Sequence, residues 1–581
     1  MRDQLTRYGV RGWDLAKHLW DLSRRGPVMA ETQRFLLLSI VIGIFAGLVV
    51  VCFHIAIEFL AWSTIHAPGS HSWLSTVLWP ALGGGVAYML VMTVFPAARG
   101  SGVNNTKAAL YVSDGYVPFH SVPGKFIASA ISIGSGNPMG PEDPALQMGA
   151  GVASYLGRLF HLTRENMRLI APIGAAAGIG AAFNTPITAV LFVMEEVVAS
   201  WNAGVLGSIV LSAVSAVVVS RWYLGDDPLF RVPAFELTHP TELIVYAVIG
   251  VVGGVLSAYF TRWAGGLRRR VIRIPLRSRF ALPVGAGMVV GAIGVWLPEI
   301  MGAGYLAIDS ALHDRFPWHI LILLGLLKMI TASLCFSVGT PGGMFAPTLF
   351  IGAMLGGGLG ALAQMYSPFP TSTAGAYVLV GIGTFFVGVF RAPMTSIFMV
   401  FEISASYVII LPVMIANTIS YLISRRMQHD SLFHILGHQD GLDLPSVEEQ
   451  REAPVLSVEG AMEKGSTRLL RTDMMVSQAL AEMQTAGLDL ALVSIRVGAW
   501  GWVGKADLEK AAAQGGDRPA QEVVSREVAV KLYPDVSLDA AMHMLSSDPI
   551  LPVSSRANPR ELLGSLTLAD VHRAYGIERA N

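Results

Sequence analysis

Long apolar segments alternate with short polar ones from Phe35 to about residue 424. The first of them, FLLLSIVIGIFAGLVVVCFHIAIEFL, is longer than the ~20 residues that a helix needs to cross a bilayer. Several later segments have a similar length, so the pattern predicts a polytopic α-helical membrane domain. From about Arg425 onward the chain has the character of a soluble tail, in which short apolar strands alternate with helical stretches.

Composition agrees with this division of the 581-residue chain. Its residues are 53% hydrophobic and only 14% charged, whereas a soluble protein carries about a quarter charged residues. Basic and acidic residues both number 41, and this zero net charge gives no argument for nucleic acid as a partner. The two cysteines, Cys52 and Cys335, lie in apolar segments and are predicted to be small core residues, not a disulfide or a metal site.

Basic residues flank the apolar region at both ends. Residues 1–31 carry a cluster of arginine and lysine, and Arg425 and Arg426 close the last apolar segment. The positive-inside rule therefore predicts cytoplasmic N- and C-termini and an even number of crossings. The expected location is a bacterial-type inner or plasma membrane. The first apolar segment is too long to be the core of a signal peptide.

The membrane region contains an internal repeat. FNTPITAVLFVMEE from Phe183 matches FRAPMTSIFMVFEI from Phe390, and PEDPALQMGAGVASYLG from Pro141 matches MFAPTLFIGAMLGGGLG from Met344. The order is the same in both halves, as in many transporters whose substrate site lies at the repeat interface. Sequence identity alone does not say whether the repeats are parallel or inverted.

Glycine–proline stretches precede an apolar run in each half. Pro144 and Pro347 fall near predicted helix starts, where a missing N–H group costs nothing. Helices that begin inside the membrane present free N–H groups and a positive dipole end, for which an anion is the natural partner. A third such turn, ARGSGVNNTKAAL at residues 98–110, adds the hydroxyl of Ser101. Together the turns predict an anion site, and the alternative is a set of ordinary tight connections between helices.

These motifs resemble the CLC family of chloride channels and proton-coupled chloride exchangers. GSGVN (100–104), GPEDP (140–144), GGMFAP (342–347) and the glutamate pair that ends PITAVLFVMEE occur in the family's order, over roughly residues 32–436. The resemblance implies two inverted repeats of tilted, broken helices, in a homodimer whose subunits each hold a pore. It also implies that chloride and protons cross the lipid bilayer without a required cofactor, and that the protein is not an enzyme.

The resemblance gives individual residues a role. Glu142 would be the gating glutamate, because its carboxylate occupies an anion position and protonation frees that position for chloride. Glu196 would pass protons between the cytoplasm and Glu142, and the alternative is a solvated charge at a helix end. Its neighbour Glu195 is predicted to be structural. Five residues would surround chloride with a hydroxyl group, backbone N–H groups and an aromatic ring. They are Ser101, Gly102, Met344, Phe345 and Phe433.

Further positions support the gating glutamate: Lys125, Gly140, Pro141, Asp143 and Pro144. Lys125 would raise the positive potential at chloride, unless it is a snorkelling surface lysine. Three residues depart from the family pattern. Asp143 replaces a glycine, and three roles are open for it: it repels anions in the pore, it points outward, or it caps neighbouring N–H groups. Asn104 replaces a proline, and Phe433 replaces a tyrosine, so that a hydroxyl donor is lost.

The tail is a separate prediction. Residues 437–453 are polar and are predicted to be a linker. Two units follow, of which 513–581 resembles a CBS domain and 454–512 a diverged one. Some CBS pairs hold an adenine nucleotide, and Thr567 and Asp570 match the ribose-contacting pattern, whereas the first unit matches it poorly. The alternative is a purely structural or dimerising pair.

The preferred function is therefore chloride/proton antiport that the tail modulates, since Glu196 favours an exchanger. One alternative is a passive chloride channel, modulated by voltage or ligand. The other is an anion-binding membrane sensor that transports little, for which Asp143 and Phe433 are the support. The sequence offers no metal cluster, nucleophile–base pair or phosphate-binding loop, so neither catalysis nor ATP-driven pumping is predicted.

Overall fold

The computed structural model forms two compact units, Met1–Val447 and Glu448–Asn581. The predicted N-terminal segment 1–31, apart from its last residue, and most of the predicted linker lie outside the residues that the structure describes. The described residues are 31–66, 72–199, 203–226, 228–230, 232, 239–368, 370–442 and 456–575, the last range without positions 466, 472, 497, 498, 515, 516, 525, 529, 530, 547, 557 and 559.

The first half of the membrane unit is helical in its described residues. The α-helices are α1 (Glu31–Ala61), α2 (Trp73–Thr93), α3 (Gly102–Tyr111), α4 (Ser121–Gly134), α5 (Glu142–Leu159), α6 (Arg164–Phe183), α7 (Pro186–Phe192) and α8 (Ala203–Leu224). Two π-helices continue α1 and α7, at Trp62–His66 and Val193–Val198. A 3-10 helix, Pro96–Ala98, follows α2.

The second half has the same kind of structure, with a 3-10 helix, Pro298–Ile300, before α12. Its last helix, α18, ends inside the segment predicted to be a linker. The α-helices are α9 (Glu242–Ile272), α10 (Leu276–Arg279), α11 (Ala281–Gly294), α12 (Tyr305–Leu312), α13 (Trp318–Ser337), α14 (Phe345–Tyr366), α15 (Ala374–Phe390), α16 (Pro393–Ser404), α17 (Ile410–Met427) and α18 (Leu432–Gln439).

Seven helices of the described residues are long and apolar enough to cross a membrane. They are α1, α2, α6, α8, α9, α13 and α14. Shorter apolar helices such as α15 and α16 lie between them. The prediction of a polytopic helical membrane domain with many broken helices is therefore confirmed.

The two halves meet as inverted repeats. Gly140 and Gly343, which the repeat makes equivalent, form an antiparallel bridge in which each N–H donates to the other's carbonyl oxygen, at 2.8 and 2.7 Å. Because equivalent segments run in opposite directions where they pair, an approximate two-fold rotation relates the halves. Sequence identity alone left the orientation open, and this contact agrees with the inverted repeats that the family resemblance implies.

A pair of glutamates repeats this symmetry. Glu195, in the π-helix that continues α7, accepts hydrogen bonds from the backbone N–H and the hydroxyl of Thr395 in the first turn of α16, both at 2.9 Å. Glu402, at the end of α16, accepts the same two bonds from Thr188 in the first turn of α7, at 2.6 and 2.5 Å. Each half thus satisfies the N-terminal donors of the other, and the predicted structural role of Glu195 agrees with this contact.

The prediction for the cysteines is half right. Cys335 on α13 is buried, but Cys52 on α1 is exposed on the outward face of its helix. The sequence of α1 is apolar all round, as expected of a membrane span, so its pattern does not tell which face turns inward.

The tail contains two small mixed α/β units in its described residues. The elements are α19 (Val458–Ala461), β1 (Glu463–Lys464), β2 (Leu469–Leu470), α20 (Val476–Thr485), β3 (Leu490–Arg496), β4 (Ala499–Gly504), α21 (Lys505–Ala513), a 3-10 helix (Ala520–Val523), β5 (Arg526–Glu527), α22 (Leu538–Leu545), β6 (Ile550–Ser554), β7 (Leu562–Thr567) and α23 (Leu568–Ala574). One sheet has the order β1–β7–β6 and the other β2–β3–β4–β5, with β2 and β3 parallel and the remaining neighbours antiparallel. This agrees with an α/β tail, and its assignment to a CBS pair stays a prediction.

Candidate anion-binding site

Three helices begin close together in the interior of the membrane unit. Pro141 is the N-cap of α5, and the bridge between Gly140 and Gly343 holds this helix start beside the start of α14. A Cβ atom at Gly140 would meet both the Glu142 carboxylate and the backbone nitrogen of Ala346, so glycine is required there. The acidic residues in the first turn of α5 face a region rich in backbone N–H groups, which stabilises negative charge.

Glu142 lies fully buried between α5, α12 and α14. Its Oε1 accepts a hydrogen bond from the hydroxyl of Tyr305, the first residue of α12. Its Oε2 lies near the N–H of Ala346, with no well-formed hydrogen bond among the described residues. The predicted gating glutamate therefore lies at the start of α14, next to the predicted chloride ligands Met344 and Phe345. The N–H groups of Met344, Phe345 and Ala346 at the start of α14 are called the α14 site below.

Asp143 points away from Glu142, to the start of α3. Its Oδ1 accepts hydrogen bonds from the hydroxyl of Ser101 at 2.8 Å and from the N–H of Val103 at 3.2 Å, and its Oδ2 accepts one from the N–H of Gly102 at 2.8 Å. Among the roles considered for Asp143, capping neighbouring N–H groups is correct and pointing outward is wrong. The Ser101 hydroxyl and the two N–H groups are called the α3 site below.

Lys125 on α4 holds the turn that leads into the α3 site. Its buried Nζ donates hydrogen bonds to the carbonyl oxygens of Ala98 and Gly100, at 3.1 and 2.6 Å. The alternative of a snorkelling surface lysine is therefore wrong. Gly100 directly precedes Ser101, so Lys125 contacts the turn that carries the α3 site, and its effect on the potential at chloride stays a prediction.

Lys328 on α13 makes the equivalent contacts in the second half, and the sequence analysis missed it. Its buried Nζ donates to the carbonyl oxygens of Ile300 and Gly302, at 2.8 and 2.7 Å, just before α12 begins. The signal was available, because Lys328 follows Lys125 by the same distance along the chain that separates Met344 from Pro141.

Phe433 on α18 lies in a buried aromatic cluster next to these helix starts. Its ring stacks on Phe390 with centroids 4.8 Å apart and lies 5.8 Å from the ring of Phe345. The side-chain amide of Asn104 donates to the Phe433 carbonyl oxygen at 3.0 Å, which ties α3 to α18. Two of the departures from the family pattern therefore contact each other.

Glu196 forms a buried ion pair with Lys107, a partner that the sequence analysis did not identify. Its Oε1 lies 2.5 Å from Lys107 Nζ, and only 4% and 7% of the two side chains is exposed. The alternative of a solvated charge at a helix end is therefore wrong. Lys107 follows Ser101 on α3, so the same helix carries the α3 site at its start and the partner of Glu196 further along.

A cavity leads from the surface to the α3 site. Its described lining includes Ser101 and the charged side chains of Arg99, Lys125, Arg268, Arg279 and Asp440. Arg268 and Asp440 form an ion pair at 2.7 Å. The excess of positive charge in this lining raises the local concentration of anions.

Comparison of the sequence with known protein families gives a match within the membrane unit. A family model described as voltage gated chloride channel matches residues 83–425, more than half of the chain. The chain belongs to the voltage gated chloride channel family. Within this family it is similar to a ClcB-like protein of Ralstonia nicotianae, at 32% identity over 362 residues that cover 60% of this chain and 82% of the relative.

Two further comparisons concern proteins whose names state an activity. The chain is 29% identical over 419 residues to the H+/Cl− exchange transporter ClcA of Vibrio cholerae, which covers 70% of this chain and 89% of that protein. The solved structure of a slow cyanobacterial Cl−/H+ antiporter superposes with a TM-score of 0.64 at 22% identity, covering 73% of this chain and all of that one. The predicted family and its fold are thus confirmed, while the roles of individual residues stay predictions.

In the tail, Thr567 and Asp570 lie together at the start of α23 but already have partners. The N–H and hydroxyl of Thr567 donate to Asp570 Oδ2 at 2.9 and 2.7 Å, and Arg468 donates to both carboxylate oxygens at 2.5 and 3.0 Å. Burial alone would raise the pKa of Asp570, but these hydrogen bonds outweigh it and hold the pKa below its usual value. A ribose would have to compete with Arg468, and the adenine nucleotide stays a prediction.

Arg468→Met is expected to destabilise the tail around α23 by about 1.5–3 kcal/mol, because a buried carboxylate loses its charged donor. Since the pKa of Asp570 is lowered in the folded tail, its stabilising contribution is full above the unfolded value of about 3.9 and is lost as the pH falls through the lower folded value. Hydrogen–deuterium exchange of β7 and α23 in the full chain measures the loss at neutral pH. Arg471→Met, which breaks an exposed pair with Asp473, is the control, and equal protection in both variants would contradict the expectation.

Proposed function

We propose that this protein exchanges chloride for protons across a bacterial-type inner or plasma membrane, as a homodimer with cytoplasmic termini and a tail that modulates transport. The name of the Vibrio cholerae relative supports the chemistry. The observation that carries the proposal is the position of Glu142, whose carboxylate lies at the α14 site. This carboxylate is an anion of the protein itself, located beside backbone N–H groups that would otherwise be available to chloride.

The exchange follows from competition for the α14 site. As a carboxylate, Glu142 is attracted by the N-terminal dipole of α14 and by the hydroxyl of Tyr305, and it excludes chloride. Once protonated, the side chain loses this attraction, and chloride takes the N–H groups of Met344 and Phe345. Proton uptake and chloride entry are then steps of one cycle, because a single residue takes part in both.

The remaining residues of the site support the two paths. The positively charged cavity brings chloride toward Ser101, and Lys125 keeps the preceding turn in place. Glu196 carries the proton toward Glu142. Its carboxylate breaks the contact with Lys107 and takes up a proton. Lys107 and the proton compete for the same carboxylate, so each transfer requires the contact with Lys107 to open.

Purified protein in liposomes tests the proposal. With a chloride gradient and the membrane voltage clamped by valinomycin, we expect protons to move uphill as chloride runs down its gradient. In Glu196→Ala, uphill proton movement should fall at least tenfold while chloride still moves, since the carboxyl group that receives the proton is gone. Glu165→Ala, a change at an exposed glutamate in the first turn of α6, serves as the control. Uphill proton movement that persists in Glu196→Ala would contradict the role of this residue.

A second candidate function is an anion-binding membrane sensor that transports little. The contacts of Asp143 favour it, because a carboxylate of the protein occupies the α3 site. Absence of chloride, nitrate, bromide and fluoride flux in the same liposomes would support the sensor. Chloride flux without any proton movement would instead support a passive channel.

A further inference from the structure

The α3 site is complete, and its donors are already used. A serine hydroxyl and two consecutive backbone N–H groups converge on one point, and each of the three donates to the carboxylate of Asp143 at 2.8–3.2 Å. Three such donors at the start of a helix are the partners that a small anion would need. The Asp143 carboxylate therefore makes the three contacts that a bound anion would make.

The backbone fixes Asp143 in this arrangement. A Cβ atom at Gly102 would collide with the backbone carbonyl of Asp143, so the start of α3 packs directly on the first turn of α5. The side chain of Asp143 is short and buried, with 3% of the residue exposed. Reaching the Ser101 hydroxyl thus needs no displacement of either helix.

Glu142 and Asp143 together fill two anion positions from adjacent residues of one helix. The Glu142 carboxylate lies at the α14 site and the Asp143 carboxylate at the α3 site. The cavity that reaches Ser101 approaches from the side of Asp440 and Arg268. An anion arriving through this cavity reaches Ser101, whose hydroxyl already donates to the Asp143 carboxylate.

We propose that Asp143 is a second gating residue, a built-in anion that chloride must displace from the α3 site before it can bind to Ser101. This inference rests on the proposed exchange of chloride, and it assigns Asp143 the part of a competitor. If the carboxylate leaves the site for about 1–10% of the time, the apparent affinity for chloride is lowered roughly 10–100-fold. Chloride binding and chloride flux are then both limited by one side chain.

Calorimetric titration of the purified full chain with sodium chloride, against an isethionate background, measures the competition. We expect Asp143→Gly to bind chloride at least tenfold more tightly than the unmodified protein. Asp143→Asn, which keeps the size but loses the charge, should show a smaller gain of the same sign. If one of the two variants does not fold, the other decides the question.

Two further variants identify the cause of the gain. Ser101→Ala combined with Asp143→Gly should lose most of it, because the α3 site then lacks its hydroxyl donor. Asp114→Asn removes a carboxylate that pairs with the exposed Arg164, outside the described lining of this cavity, and we expect less than a threefold change. A gain in Asp114→Asn as large as that in Asp143→Gly would overturn the proposal, because the effect would then be a general reduction of negative charge.

The outcomes separate this inference from the proposed function. Equal chloride affinity in the unmodified protein and both Asp143 variants overturns the role of Asp143 and leaves the exchange of chloride for protons standing. Chloride binding in none of these proteins overturns both. In liposomes, faster chloride efflux from Asp143→Gly with uphill proton movement retained is the expected result, since Glu142 still couples the two ions.

Discussion

Glu142→Gln is expected to abolish proton coupling while chloride continues to cross the membrane. The amide has nearly the same shape as the carboxyl group but neither binds nor releases a proton between about pH 4 and pH 8. It also carries no charge for the α14 dipole to attract, so the α14 site stays open to chloride. Simultaneous recording of chloride and external pH in liposomes, at a clamped voltage, should show a loss of uphill proton movement of at least a hundredfold.

Tyr305→Phe is the informative companion to this variant. It removes the hydroxyl that donates to Glu142 and leaves the titratable carboxyl group in place. We expect coupling to persist with an altered turnover, because the carboxylate loses a hydrogen bond but not its charge. Coupled proton movement in Glu142→Gln itself would show that another group carries the proton, and the role assigned to Glu142 would be abandoned.

Lys107→Met is expected to destabilise the membrane unit by about 3–5 kcal/mol, because it leaves the buried carboxylate of Glu196 without its counter-charge. The side chain keeps a similar length, so the loss of packing is small. Thermal unfolding in detergent measures the change, with the amount of aggregated protein as the readout. Arg164→Met, which breaks the exposed pair with Asp114, should cost less than about 1 kcal/mol.

The double variant Lys107→Met with Glu196→Gln tests the cause. If the uncompensated carboxylate is responsible, neutralising it should restore most of the lost stability, and the two changes should be strongly non-additive. The double variant should also lack uphill proton movement, because the amide that replaces the Glu196 carboxyl group cannot take up a proton. A Lys107→Met variant as stable as the unmodified protein would mean that water or another group compensates Glu196.

The fold of the membrane unit was largely accessible from the sequence, because its signals are local. Apolar length marks the spans, and glycine and proline mark helix starts such as those at Pro141 and Met344. The repeat marks equivalent positions, and it contained the signal for Lys328 as well. The family motifs then identified Glu142 and its surroundings.

The side-chain partners were less accessible, because they depend on contacts between distant segments. Asp143 had three possible directions, and the choice rests on donors about 40 residues away along the chain. Lys107 meets Glu196 across 89 residues, and no local pattern joins a lysine on one helix to a glutamate on another. Because the sequence of α1 is uniformly apolar, it did not tell whether Cys52 faces the interior or the surface.

The reciprocal capping by Glu195 and Glu402 has a consequence for the synthesis of the protein. Thr188 emerges from the ribosome 214 residues before Glu402, and Glu195 emerges 200 residues before Thr395. At about 5–20 residues per second, the first half waits roughly 10–40 s for its partners. Polar groups without partners are not tolerated in lipid, so nascent α7 must be kept away from it during that interval. The first half therefore reaches its final position in the membrane only after the second half has been made. Until then, the machinery that inserts the chain must keep α7 out of the lipid.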